Sequence, residues 1–547
     1  AGARHPHRHG RDQQVSFTAP TIEWAGLTPV LIILGAGVLG VLVEAFAPRA
    51  ARPGVQSCLA VLAVLGSGVA VTTRWTQVWA QAAGSQTGVA EPQAVGRVLV
   101  TGFNEDPFSV SAQGIMLVIG LLSVLVMADR TTAGDGSFAA QAADRPGSAE
   151  ESESLLHGWT TTEVFPLMLF SLAGMMLFPM AAGFISLFVV LELVSLPLYI
   201  MAATARHRRL LSQEAALKYF VLGAFSSAFL LLGSAFLYGV SGSVSYSEVA
   251  TSLAAGGVLD MDWLGLAGVA LVTVGLLFKT AAAPFHAWSP DVYQGAPTPV
   301  TGFMAAGVKA TAFLALVRFY YIVGGSYGWD MAPFLWTVAI VTMVVGTVVG
   351  VVQTDVKRML AYSAIAHAGY MLIGIIALSR VGISALLLYA LAYGAATVGA
   401  FGVVALVRTG HNGAAGAEAN DLTAFTGLGR RSPWLAGAMT VFLLSFAGVP
   451  LTAGFIAKFD LFAAGINGGA AWLVIVAVVS SAITAFFYMR LVVLMFFREP
   501  QDDGVVVVES MGPSAVAIGL AIIVTAALGV VPQPVAELLG RAAMLLS

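Results

Sequence analysis

Residues 271–314 read LVTVGLLFKTAAAPFHAWSPDVYQGAPTPVTGFMAAGVKATAFL. An apolar run carries Lys279, breaks at Pro284, and passes His286 and a Pro-rich link. A second apolar run then carries Lys309. A charged side chain near the centre of a bilayer costs roughly 3 kcal/mol or more, so it persists mainly where it faces a polar cavity or a partner. Two lysines inside hydrophobic segments therefore set both the fold class and the functional question.

The rest of the chain has the same character. Of 547 residues, 58% are hydrophobic and 10% are Asp, Glu, Lys or Arg, against about 25% charged in a soluble domain. This is the composition of an integral membrane protein. The net charge of −3 gives no reason to expect a nucleic-acid partner. The single cysteine, Cys58, cannot form an internal disulfide or a cysteine metal cluster. No Gly-rich phosphate loop, CxxC pair or HExxH is present. We therefore expect no cofactor and no metal in this chain.

A spanning helix needs about 20 mostly apolar residues. That rule predicts about fourteen helices, all-α because of the segment lengths and the need to satisfy backbone polar groups without water. The expected layout is a polar tail at 1–26, disordered and without the pattern of a signal peptide, and three helices over 27–128. A flexible acidic loop follows at 129–162, then two sets of five helices over 163–324 and 333–497, and a C-terminal helix within 498–547. Within the first part, residues 73–105 read as a long loop with a short hairpin near Arg97–Gly102. Pro284 and Pro450 each remove a backbone donor and free a carbonyl, of Thr280 and Phe446 respectively. The interrupted helices are the seventh and twelfth, five apart. Breaks at matching places predict two inverted five-helix repeats, helices 4–8 and 9–13, with the pathway at the breaks. Counting Lys and Arg in the loops, thirteen against seven, predicts both termini outside.

The lysines carry the functional signal. The chain has five, and only Lys357 reads as a loop residue. Lys218, Lys279, Lys309 and Lys458 lie in or at the edge of spanning segments. Glu192 sits mid-helix in GFISLFVVLELVSLPLYIMA, and His286, Ser363 and His367 lie in or beside apolar runs. An amine in a dry site loses and regains a proton far more readily than in water. A nearby carboxylate pushes the other way, and arginine cannot take this role because it stays protonated. Such groups, linked by water, form a lateral proton path. Each has a structural reading as well. Glu192 serves as a counter-ion for Lys218 or Lys279, Lys218 snorkels, and Lys458 pairs with Asp460. His286, His367 and Ser363 pack, while Arg318 and Arg490 anchor helix ends.

FKTAAAPFHAWSPDVYQGAPTPVTGFMAAGVKA, EAALKYFVLGAFSSAF, DVKRMLAYSAIAHAGYM and GVPLTAGFIAKF together resemble the antiporter-like subunits of bacterial respiratory complex I (NADH–quinone oxidoreductase) and of Mrp-type antiporters. The resemblance covers roughly 160–500. Within the family, the WSPDVYQGAP string and a lysine at 458 are similar to the subunit N branch. The resemblance implies a proton channel in which Glu192, Lys218, Lys279, Lys309 and Lys458 are the essential charged residues, and His286 belongs to a water-linked polar axis. It implies a plasma-membrane complex with neighbouring subunits M and K. FMN, iron–sulfur clusters and quinone would reside on other subunits. The alternatives are a stand-alone or Mrp-like cation/proton antiporter subunit and a purely structural scaffold.

Overall fold

The computed structural model describes residues 21–84, 96–130, 136–139, 148–157, 161–256, 261–411, 414–499, 505–507, 510 and 512–546. Most of the polar tail expected at 1–26, and Asp135 and Asp144 of the acidic loop, lie outside them. The fold is all-α. Among the described residues, twelve helices are long and apolar enough to cross a bilayer, and Val164–Met180 and Pro433–Ala447 are shorter apolar helices.

In chain order the first helices are α1 (Trp24–Phe46), α2 (Arg52–Gly84) and α3 (Pro107–Ala128). α4 (Ala149–Leu156) is a short surface helix. α5 (Val164–Leu177), α6 (Phe184–Ala202), α7 (Arg209–Ser241), α8 (Tyr246–Ala254), α9 (Asp262–Thr280) and α10 (Trp288–Gly295) follow. α11 (Thr298–Ile322) contains a π-helical turn at Met304–Val308. The second half comprises α12 (Gly328–Val351), α13 (Val356–Ile376), α14 (Arg380–Leu406), α15 (Pro433–Ala447), α16 (Ala453–Asn467) and α17 (Ala471–Phe497). α18 (Pro513–Val530) and α19 (Gln533–Ala542) close the chain. A hairpin pairs β1 (Arg97–Val100) with β2 (Phe103–Glu105), and a three-stranded sheet has the order β4 (Ala414–Glu418), β3 (Val407–His411), β5 (Val505–Val507).

α11 is wholly buried and α13 nearly so, whereas α2 and α7 bury only about a third of their apolar length. The core is therefore built round α11 and α13, and the outer helices face lipid or partners. In each set of five, the first helix packs on the second and the third packs on the broken fourth: α5 on α6 and α7 on α9, then α12 on α13 and α14 on α16.

Both breaks fall where proline removes a donor. α9 stops at Thr280 with Ala281 at φ 58°, and α10 starts only at Trp288. α15 stops at Ala447, with Gly448 at φ 81° and Leu451 at φ 70°, and α16 starts at Ala453. Gly448 is suited to its turn because a positive φ costs it little.

Four expectations need correction. Residues 73–84 are not loop, because α2 continues through them. Trp75 and Trp79, one turn apart, stack at 6.2 Å, and the buried Arg74 reaches Glu105 at 2.6 Å, so this stretch docks on protein through one face of the helix. The acidic stretch 129–162 is not all loop. Glu150 and Glu153 belong to α4, and 137–139 is tied to 204–206 by Ala139 N to Thr204 O (2.8 Å) and Arg206 N to Ser137 O (3.0 Å). Arg318 does not anchor a helix end at the membrane surface. It is fully buried, its Nη2 donates to both carboxylate oxygens of Asp106 at 2.9 and 2.7 Å, and its Nε donates to Pro179 O at 2.5 Å. Lys357 is not in a loop. Asp355 caps Arg358 N at 2.9 Å and so starts α13 just before the lysine.

Candidate functional site

The first cluster joins α6, α7 and α9. The Lys279 amine is 3% exposed. It lies 3.5 Å from the Tyr199 hydroxyl, 5.4 Å from the centroid of that ring and 5.3 Å from the centroid of Tyr219. A cation over two aromatic faces is held without a fixed counter-ion. Glu192, on α6 one helix away, acts electrostatically on Lys279 and Tyr199, and accepts a hydrogen bond from Ser227 on α7. Among the described residues no hydrogen bond or ion pair joins Glu192 to Lys279 or to Lys218.

Lys218 instead binds Asp291 and Glu214, each at 2.7 Å. Asp291, on α10, also takes Arg358 of α13 at 2.7 Å. Gln294 links the same group to Asp355 at 2.9 Å. Neither Asp291 nor Arg358 stands out in the sequence as a functional residue. The only cue was a carboxylate seven residues after a helix-breaking proline.

The second cluster joins α11, α13, α14, α16 and α17. Lys309 is 2% exposed and donates to the Ala364 carbonyl. The π-helical turn lies immediately before it, and such turns re-aim a side chain within an otherwise regular helix. One turn beyond Ala364, His367 is fully enclosed. Its Nδ1 is 2.5 Å from the Tyr389 hydroxyl and its Nε2 is 3.3 Å from that of Tyr488, while Ser363 Oγ meets the same Tyr488 hydroxyl at 2.5 Å. Lys309 and Lys458 both act electrostatically on the His367 ring.

Lys458 ends the series. Its amine donates to Phe446 O at 2.7 Å, to Ala447 O at 3.1 Å and to Ser481 Oγ at 2.7 Å, and lies 5.1 Å from the centroid of Tyr370. Phe446 O is the carbonyl that Pro450 frees from its helix. The break therefore supplies the acceptor that the amine needs, and the lysine does not pair with Asp460. Tyr370 continues the hydroxyl chain to Ser480 at 3.2 Å, and Ser480 to Thr347 at 2.5 Å.

Placed together, then, are Glu192 with Lys279, and Lys309, Ser363 and His367 with Lys458. Lys218 stands apart with Asp291. His286 lies in the first break, half-buried, with Nδ1 enclosed and unpartnered; among the described residues no hydrogen bond joins it to either neighbouring lysine. The tyrosines at 199, 219, 370, 389 and 488 were missed by sequence reasoning. Their signal was a phenol in the middle of an apolar run, which is also what ordinary packing produces.

A further buried pair sits where α11 begins. Lys357 is 1% exposed; it donates to Ala296 O at 2.7 Å and faces Glu418 of β4 at 3.5 Å. Glu418 also accepts from the Thr298 amide at 3.3 Å and from the Thr298 hydroxyl. Burial pushes the Glu418 carboxyl up, but Lys357, Thr298 and Arg408 together hold it below the usual carboxylate range.

Residues 164–484 match the family described as NADH:quinone oxidoreductase/Mrp antiporter, TM. NADH-quinone oxidoreductase subunit N of Beutenbergia cavernae is 51% identical over 537 residues, covering 96% of this chain and 99% of the relative. Among solved structures, a chain of respiratory complex I from Thermus thermophilus superposes with a TM-score of 0.72 at 30% identity, over 93% of this chain and 98% of that one. A chain of the Mrp complex from Dietzia gives a TM-score of 0.72 at 21% identity, over 96% and 98% of the two chains, a likeness of fold alone.

Proposed function

This chain belongs to the NADH:quinone oxidoreductase/Mrp antiporter family, and on that premise we propose that it is the N-type, proton-translocating membrane subunit of an NADH-quinone oxidoreductase. FMN, iron–sulfur clusters and quinone belong to other subunits, and electron transfer there drives this chain laterally. Its neighbours are an antiporter-like M-type subunit and the small K-type subunit. It spans the bacterial plasma membrane many times, with both termini outside.

Glu192 is the coupling carboxylate. It shifts the charge balance at Lys279, which loads from the cytoplasm. The proton passes by water and His286 to Lys309, then through His367, with Ser363 and the surrounding tyrosines, to Lys458 and out. Lys218 belongs to the loading side. Moving one charge against 100 mV takes about 2.3 kcal/mol, so each amine must swing by about 1.7 pKa units over a cycle.

One observation carries this reading. The amines of Lys279, Lys309 and Lys458 are buried against a phenol, backbone carbonyls and a hydroxyl, and among the described residues none is hydrogen-bonded to a carboxylate. An amine held by neutral acceptors gives up its proton without stranding a bare anion. The rival reading, cation/proton exchange by a stand-alone or Mrp-like assembly, shares the fold. Purification separates the two, since our reading requires a large redox complex. The direct test is Lys279→Ala in the intact complex. Proton pumping should be suppressed while the complex still assembles; a variant that assembles and pumps normally overturns the assignment.

A further inference from the structure

A stacked aromatic pair adjoins the Lys279 amine. Tyr219, on α7, lies against the amine on one face and stacks on Trp288 of α10 at 4.8 Å and 12°. Trp288 is fixed in turn, because its indole N–H donates to Phe278 O at 2.9 Å, across the break and one residue before Lys279. Both rings are fully buried. The Tyr219 hydroxyl is enclosed too, yet among the described residues it has no hydrogen-bond partner. A buried orphan hydroxyl is uncommon and calls for a reason.

One residue along α7 is Lys218, and three along α10 is Asp291. These two form the 2.7 Å ion pair, completed by Arg358. Their side chains are 40%, 36% and 27% exposed, on the end that carries Arg206, Arg208 and Arg209. The stacked rings and the ion pair therefore cross the same two helices, the rings inside and the charges outside. α10 itself is eight residues long, lies between a break and a Pro-rich link, and seats on α7 at Gly295, where a Cβ would fall 2.6 Å from Leu211 O. Any movement that separates α10 from α7 breaks both contacts together.

We propose that the Tyr219–Trp288 stack is the gate between the Arg206–Arg209 end and the Lys279 amine, and that Lys218, Asp291 and Arg358 are the latch that holds it shut. When α10 lifts, water reaches the Tyr219 hydroxyl and then the amine. Asp291 is a positioning residue, acting through Trp288 and not on the proton itself. This inference rests on the functional reading above for its meaning, but its test does not depend on pumping.

In the intact complex, with Cys58→Ser, Lys279→Cys is labelled by a small water-soluble methanethiosulfonate, and the rate is read from the mass of the peptide that carries it. With the native latch, labelling is slow. Asp291→Asn is expected to speed it tenfold or more, and Asp291→Glu to restore the slow rate. Trp288→Leu, with the latch intact, should also speed it tenfold, which keeps the test decisive where Asp291→Asn does not assemble. Equal rates in all these backgrounds overturn the gate. Normal pumping by Lys279→Ala would sink the functional assignment instead, and would leave the labelling result standing.

Discussion

The buried pair of Arg318 and Asp106 gives the sharpest test of the energetics. Both side chains are 0% exposed, and Arg318 Nη2 donates to both Asp106 oxygens. Asp106 also accepts from the Ser109 amide at 2.8 Å, capping α3, and from the Leu546 amide at 2.9 Å, while Arg318 donates to Leu546 O at 3.2 Å. The pair thus ties α3, α11 and the C-terminal segment together. Asp106→Ala leaves a guanidinium that cannot shed its proton in a dry site, at a cost of about 3–5 kcal/mol, and removes a helix cap worth about 1 kcal/mol. Arg318→Met should cost less, because the abandoned carboxyl keeps two amide donors. The double variant should cost about 1 kcal/mol more than Arg318→Met, for the lost cap, and much less than the sum, with a coupling of at least about 3 kcal/mol. That is about a hundredfold in the opening equilibrium. Hydrogen exchange of peptides spanning 104–112 and 540–546 in the intact complex reads it, since the Ser109 and Leu546 amides are themselves in the network. Equal losses from the two single variants, or simple additivity in the double, would refute the reasoning.

Three further outcomes are expected. His367→Gln keeps partners for Tyr389 and Tyr488 but cannot carry a proton, so the complex should assemble and pump several-fold less; unchanged pumping removes His367 from the path. Gly454→Ala would put a Cβ 1.8 Å from Ser445 O, forcing α15 and α16 apart at the second break. The overlap should cost about 2 kcal/mol or more, seen as a several-fold drop in assembled complex, and a normal yield would show that the break relaxes freely. Glu418 is held below the usual carboxylate range, so its contribution is complete above its unfolded value, about 4.3, and is lost as pH falls through its lower folded value. Protection of the β3–β4 amides, corrected for intrinsic exchange, should fall below about pH 4 in the native chain, and Glu418→Gln should flatten that dependence.

The sequence by itself determined the solvent and the secondary structure. Length of apolar run, scarcity of charge and the two prolines each act locally, and apolar runs of about 20 residues satisfy their backbone in lipid as helices. It also singled out Lys279, Lys309, Lys458 and Glu192, because an amine or carboxylate in an apolar run is costly wherever the helix ends up. Its errors came from the same local view. Polar residues at 73–84 read as loop because nothing in the sequence says that Glu105 waits for Arg74. Lys357 and Arg318 read as surface groups because their partners lie 61 and 212 residues away.

Only the tertiary structure decided pairing. It gave Asp291 to Lys218, and it set His367 between two lysines on other helices. It also brought the Phe446 carbonyl, freed by one proline, to the amine of Lys458. A charge in an apolar helix announces that it needs a partner, but which partner it meets depends on how helices pack, and that is fixed by side-chain fit across the whole core.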